Sequence, residues 1–300
     1  MTIVSSANYS MTDTYEPLWF TGASGVGNVG AYSKDGINWT EVTLPSSADW
    51  VGTETDRSVF VISAYNSNSA IYSRNGINWT TSTLPATTTW ASSTFAEGRF
   101  LILSFTSVTA YSTDGGKTWT QGSMPSSRNW VSVAYGGGKY VAIAGNSNIA
   151  AHSSDGINWT EVTLPSTQFW QSVDYVNGNF VAVCSGAVSI YSTNGGVSWT
   201  QIAITNANWR CRSNGSRIVA INLSFNNIIR YTSDGTSWTS ATLPASATLF
   251  GINYGGDRWV ATPNNEGGRT QGFYSTDNGA TWTGFNMPSS RNWRLCNFKN

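Results

Sequence analysis

The stretch Asp35-Gly36-Ile37-Asn38-Trp39-Thr40-Glu41-Val42-Thr43-Leu44-Pro45-Ser46 recurs letter for letter from Asp155 to Ser166, and Met124-Pro125-Ser126-Ser127-Arg128-Asn129-Trp130 recurs from Met287 to Trp293. Identities this long, this far apart, make the chain a tandem array. The underlying pattern, Tyr-Ser-x-Asp-Gly-x-x-Trp-Thr, begins at Tyr32, Tyr72, Tyr111, His152, Tyr191, Tyr231 and Tyr274. The intervals are 40, 39, 41, 39, 40 and 43 residues. Seven copies at this spacing have the period of propeller blades.

One copy shows why the unit is a four-stranded sheet. Apolar residues alternate in Trp130-Val131-Ser132-Val133-Ala134-Tyr135, Gly136-Gly137-Gly138 turns the chain, and Tyr140-Val141-Ala142-Ile143-Ala144 is apolar almost throughout. An alternating strand followed by one that is apolar on both sides suits a sheet stacked between other sheets. Asn146-Ser147-Asn148 makes the next turn, a third strand follows from Ile149, Asp155-Gly156 turns again, and the fourth strand starts at Trp159. Leu164-Pro165-Ser166 then crosses to the next copy. No segment sustains apolar residues at helical spacing. The expected fold is all-β, a seven-bladed propeller of four-stranded antiparallel blades forming a single domain over residues 1–300.

Composition agrees and excludes several functions. Of the 300 residues only 11% are charged, against roughly 25% in ordinary soluble domains, and the formal net charge is +0. That is no basic nucleic-acid surface and no acidic tail. Aromatics make up 13%, with 15 Trp and 30 Gly, so solubility rests on hydroxyls and amides. The start has neither a basic n-region nor an apolar h-region, and no apolar run has membrane-spanning length, so the expectation is a leaderless protein that does not insert into membranes. Cys184, Cys211 and Cys296 lie far apart in apolar runs without a Cys-x-x-Cys pair and read as buried free thiols. His152 stands where other copies carry Tyr, which leaves no material for a His-based triad or metal site. No cofactor is expected.

Ser112-Thr113-Asp114-Gly115-Gly116-Lys117-Thr118-Trp119 resembles the Asp box, Ser-x-Asp-x-Gly-x-Thr-Trp, of sialidases and of several non-enzymatic propeller families, and residues 275–282 match equally well. Four other copies are one residue shorter, and the copy at residues 192–199 carries Asn194 in place of Asp. The resemblance implies the propeller fold and leaves activity open, because the hairpin occurs on proteins of unrelated function. The box positions are Asp35, Asn75, Asp114, Asp155, Asn194, Asp234 and Asp277. A turn Asp accepts backbone N–H bonds inside its own hairpin, and Asn does the same, whereas proton transfer or cation binding would not readily tolerate Asn at two of the seven. These positions are therefore read as structural.

The box Trp at 39, 79, 119, 159, 199, 238 and 282 and a second column at 50, 90, 130, 170, 209 and 293, with Leu249 as its substitute, are expected between sheets; Trp19 and Trp259 lie outside both columns. Residues 293–298 match a first strand that would complete the N-terminal blade and close the ring, within a closing segment 292–298. Ser10 to Tyr15 fits the same slot, and the closing role is given to residues 293–298 because they keep the repeat's Trp. Residues 1–16 then form an arm.

Loops between second and third strands share a face with the Leu-Pro-Ser crossings, and that crossing face varies most among copies, as binding loops do. Candidate ligand-binding residues there are Asn66, Asn68, Asn146, Asn148, Asn226, Asn227 and Arg269 from the loops, with Arg128, Asn129 and Arg291 from the crossings. Amides and guanidinium groups beside aromatic rings suit sugar recognition. The enzyme reading finds little support. The nearest match to a sialidase Arg-Ile-Pro triplet is Arg217-Ile218-Val219 in mid-chain, and outside the boxes the face offers only Asp49 and Glu266 as a carboxylate pair for glycosidic cleavage. No catalytic residue and no metal ligand is assigned. The near-identical copies resemble bacteriophage- and prophage-encoded repeat proteins, which implies a virion-associated protein of tail, fibre or head decoration. Other virion proteins or cell-surface glycans would be its partners. The alternatives are a soluble bacterial lectin, similar to propeller lectins, and a glycoside hydrolase.

Overall fold

The computed structural model describes residues 18–25, 27–56, 58–264, 268–294 and 296–299. Among these residues every regular element is a β-strand, all pairings between strands are antiparallel, and seven blades follow one another in chain order. Blade 2 is representative: Trp50–Thr55, Phe60–Ala64, Ser67–Ser73 and Thr80–Thr88 pair in sequence from the innermost strand to the rim. Blades 3 and 7 repeat this as separate four-stranded sheets beginning at Trp90 and Leu249. Blades 4, 5 and 6 are joined, because Thr160–Val176 and Thr200–Ser213 each run from the rim of one blade into the innermost position of the next. The crossing at Leu164-Pro165-Ser166 is thus extended strand. Ser147 pairs with Gln168 beyond the proline, and Pro165 sits on an outer strand whose missing N–H no neighbour needs.

Blade 1 is assembled from both ends of the described chain. Leu18–Ser24, Gly27–Ser33 and Thr40–Ala48 form its outer part, and both Asn292–Trp293 and Asn297–Lys299 pair antiparallel with Leu18–Ser24 on the inner side. Trp293 opposes Ala23, and Phe298 opposes Trp19. Ser10 to Tyr15, the competing segment, and the arm 1–16 lie outside the described residues.

The sequence places large side chains where the stacked sheets meet. The inner Trp column is fully buried, at 0–1% exposure with Leu249 at 1%, whereas five of the seven box Trp are half-exposed. Trp19 and Trp259 do have a repeat position: each opposes the box Ser of its own blade, as Phe60, Phe100 and Tyr140 do in theirs. A Leu, Met or Ile from every crossing, Leu44, Leu84, Met124, Leu164, Ile204, Leu243 and Met287, is buried below the inner Trp. Blades are also stitched by hydrogen bonds. Ser92, Ser132 and Ser172 hydroxyls accept the backbone N–H of Val133, Val173 and Cys211 in the following blade, at 3.2, 3.1 and 2.8 Å. Arg258 Nη1 donates to the Asp35 carbonyl at 2.8 Å, which ties blade 7 to blade 1.

Candidate functional site

The box hairpins present the most carboxylates, and their geometry says how each is used. Ser33 donates to Asp35 Oδ1 at 2.9 Å, the same oxygen accepts the N–H groups of Ile37 and Asn38 at 2.8 Å each, and Trp39 Nε1 donates to the Gly36 carbonyl at 3.1 Å. Asp114, Asp155, Asp234 and Asp277 accept the equivalent bonds. Asn75 accepts from Ile77 and Asn78, and Asn194 from Ser198, so the amide oxygen substitutes directly. Partial burial opposes ionisation at Asp35, Asp114 and Asp277, but the turn donors outweigh it and hold each at about 2. The N–H of Ser237 dominates at Asp234, also at about 2, and that of Asn158 holds Asp155 well below the usual range.

The candidate residues of the crossing face are spread around its rim. Asn66 and Asn146 turn the chain with φ of 48° and 49°, a conformation Asn tolerates well. Asn68, Asn129 and Asn148 are exposed, and Asn227 is half-buried. Asn226 closes its own loop, accepting Ile228 N–H and donating to the Ser224 carbonyl, each at 2.8 Å. Arg128 and Arg291 occupy equivalent places and do equivalent work. Their Nε atoms donate to Ser126 and Ser289 and lie 3.5 and 3.6 Å from Glu161 and Glu41 of the following blade. Arg269 stacks on Phe225, its guanidinium carbon 4.0 Å from the ring centre, and borders a side cavity of about 350 Å³. Glu266 lies outside the described residues.

The residues that do converge are on the innermost strands, around an axial cavity of about 780 Å³. Two rings of side chains line it. The first, immediately after the inner Trp or Leu249, comprises Val51, Ala91, Val131, Gln171, Arg210, Phe250 and Arg294 at the crossing-face mouth. The second, deeper, comprises Glu54, Thr94, Ala134, Asp174, Arg212, Asn253 and Asn297. In blades 2, 3, 4, 5 and 7 a bulge follows the first residue; blade 6 pairs without it. That missing residue puts Arg212, three residues after Trp209, in the ring that other blades fill with the fourth.

Four members of the deeper ring repeat one device. Glu54, Asp174, Asn253 and Asn297 each accept the N–H of the next residue, at 3.0, 2.8, 2.8 and 2.9 Å, which fixes the side chain against its own strand. Asn253 donates to Asn297 at 2.9 Å. Asp174 also accepts Ser213 N–H at 2.9 Å. Burial pushes Glu54 up to about 7 and raises Asp174, while the charge of Arg212 pulls both down. At the mouth the balance reverses. Arg210 and Arg294 lie over the Phe250 ring, their guanidinium carbons 4.1 and 4.7 Å from its centre. Burial, then the positive charges of Arg212 and Arg294, bring Arg210 down to about 9.

Glu54 and Asp174 are further carboxylates, in the axial cavity rather than on the crossing face. Comparison of the loops misses the rings because the divergence lies inside the first strands, one and four residues after the inner Trp or Leu249, and one and three after it in blade 6. The three cysteines are free and buried. No group of three or more potential metal-ligating side chains occurs among the described residues, and no helix is long and apolar enough to cross a membrane.

No family model matches the chain, and no curated protein does. Solved propellers do. A streptogramin B lyase superposes with a TM-score of 0.70 at 11% identity, covering 93% of this chain and 90% of its own. Virginiamycin B lyase from Staphylococcus aureus gives 0.69 at 14%, covering 80% and 84%. YCF48 bound to a D1 peptide gives 0.64 at 12%, covering 83% and 94%. At these identities the likeness is one of fold.

Proposed function

We propose that this chain is a non-catalytic recognition propeller of a bacteriophage particle, a tail, fibre or head-decoration protein that contacts the host surface or another virion protein after assembly in the host cytoplasm. The observation that carries the reading is the division of labour among copies. The box carboxylates are engaged by their own turns, while copy-specific polar and aromatic side chains gather around the axial mouth and the crossing face. Binding sites are concave, with few converging polar groups on a rigid frame, and this mouth has that form. The virion placement rests on the resemblance of the repeated boxes to phage-encoded repeat proteins. YCF48, a propeller of similar fold, binds a peptide, which supports protein recognition as one use of the architecture. Mass spectrometry of purified virions tests the placement: the protein is expected in the particle, and its absence overturns it.

A soluble lectin is the second reading, favoured by Tyr65, Phe169 and Phe225, which stand exposed on the crossing face at 38%, 60% and 51%. Aromatic rings with amide neighbours suit sugar faces and hydroxyls. A glycan array at high protein density separates the readings, since a simple sugar bound at several places per chain favours the lectin. Clustered ligand would then bind far more tightly than free sugar.

A further inference from the structure

We propose that two equivalent patches, at the boundary between blades 3 and 4 and at that between blades 7 and 1, are docking surfaces for a second copy of this chain. The proposal goes beyond the recognition reading and does not rest on it.

The two long identities of the sequence meet in space. The crossing Met124–Trp130 leads into blade 4 and touches the run Asp155–Ser166 on the outer strand of that blade, where Ser126 donates to Glu161 and Arg128 Nε lies 3.5 Å from it. The crossing Met287–Trp293 leads into blade 1 and meets the run Asp35–Ser46 in the same way, with Ser289 donating to Glu41 and Arg291 Nε at 3.6 Å. Trp130 and Trp293 complete the match, each donating to the carbonyl of its patch serine at 3.1 Å. In the first patch the two runs follow one another along the chain. In the second they come from opposite ends of it and meet only because the ring closes. Copying one contiguous stretch does not produce that arrangement, so what is repeated is a surface.

The frame does not require this surface. Arg128 stands two residues before the inner Trp and Glu161 two after the box Trp; at the other five boundaries both positions are neutral, from Gln168 with Gln201 to Ala247 with Gly284. A partly exposed ion pair adds little stability, and five boundaries pack without one. The four charged side chains are 29–42% exposed, with Pro125, Ser127 and Pro288 exposed beside them. Within its patch each arginine donates through Nε, which leaves the Nη side of the planar fork for a carboxylate from outside. A patch holding one guanidinium and one carboxylate has no net charge to draw a partner of single sign. Turned about a two-fold axis onto its own copy, it sets each guanidinium against the other's carboxylate, the self-complementarity that a two-fold interface requires. Because the patches are alike, either can face either. They lie three blades apart one way round the ring and four the other, so each chain can hold a copy on two sides and the discs join in series.

The experiment is sedimentation velocity of the full chain over a range of concentrations, at low salt and with sodium chloride added. The wild type is expected to grow past the dimer as concentration rises, and added salt to reverse that growth. Arg128→Ala keeps one patch and should stop at the dimer, whereas Arg128→Ala combined with Arg291→Ala should stay monomeric. Ala48, Ala207 and Ala247 already stand at this position in other crossings, so the frame accepts alanine, and melting curves of both variants establish that they fold. A wild type that is monomeric at every concentration overturns the proposal and leaves the patches to a foreign protein. A wild type that stops at the dimer, or growth that persists in the folded double variant, overturns it equally. Each of these results leaves the recognition reading standing, which the virion analysis and the glycan array decide.

Discussion

The seven box hairpins and the deeper ring of the axial cavity lie on the same seven blades and have opposite histories in the sequence. In the hairpins an Asp or Asn accepts the N–H groups of its own turn in every copy. In the ring the equivalent positions hold Glu, Thr, Ala, Asp, Arg, Asn and Asn. The hairpin's demand is local and the same in every blade, so one residue type answers it repeatedly. A side chain facing the axis meets six others from different blades, and nothing in the sheet dictates its identity. Repetition therefore marks the frame, and divergence on a rigid element marks what the frame is used for.

The sharpest way to break this contrast is to remove buried repeat residues. Trp130→Ala, at a fully buried inner position, should cost about 3–5 kcal/mol in urea denaturation. Trp119→Ala, at a half-exposed box position, should cost clearly less, and equal losses would erase the distinction between the two columns. Next, Asp114→Ala should cost on the order of 1–2 kcal/mol by leaving the Lys117 and Thr118 N–H groups without their acceptor. Asp114→Asn should cost much less, as Asn75 and Asn194 indicate. If the two variants lose the same stability, the charge rather than the turn geometry is what the box requires.

The ring should answer differently. Glu54→Gln at neutral pH should stabilise the fold, because the amide keeps the acceptor for Thr55 N–H and removes the cost of ionising a buried carboxyl. A loss of stability would show that the ring is part of the frame. The pH profile separates the two regions by sign. The box Asp groups titrate low when folded, so their contribution is intact above about pH 4 and fades as pH falls toward 2. Glu54 has the opposite sign: its folded pKa of about 7 lies above the ordinary 4.5, so stability declines as pH rises between those values. Glu54→Gln should flatten that decline and leave the acid limb unchanged.

The frame was legible because its signals are local and repeated. Box, turn glycines and crossing residues each sit at fixed offsets, and the inner Trp column is read by counting. Trp19 and Trp259 escaped that count because in other copies Phe, Tyr or Ile fills their position, and only the pairing with the box Ser reveals it. Arg212 was illegible for another reason. Its place in the deeper ring depends on a missing bulge, visible as a one-residue deletion but interpretable only once strand register is known. Arg294 belongs to the closing segment, whose neighbours come from the other end of the chain.

That closing segment has a consequence for synthesis. Leu18–Ser24 is made before the strands that pair with its inner side, Asn292–Trp293 and Asn297–Lys299, which follow all seven boxes. Until those strands are made, the edge of Leu18–Ser24 that they cover lacks them. The last seam to form also delivers Arg294 to the mouth, so a nascent disc that has not closed lacks half of the guanidinium pair.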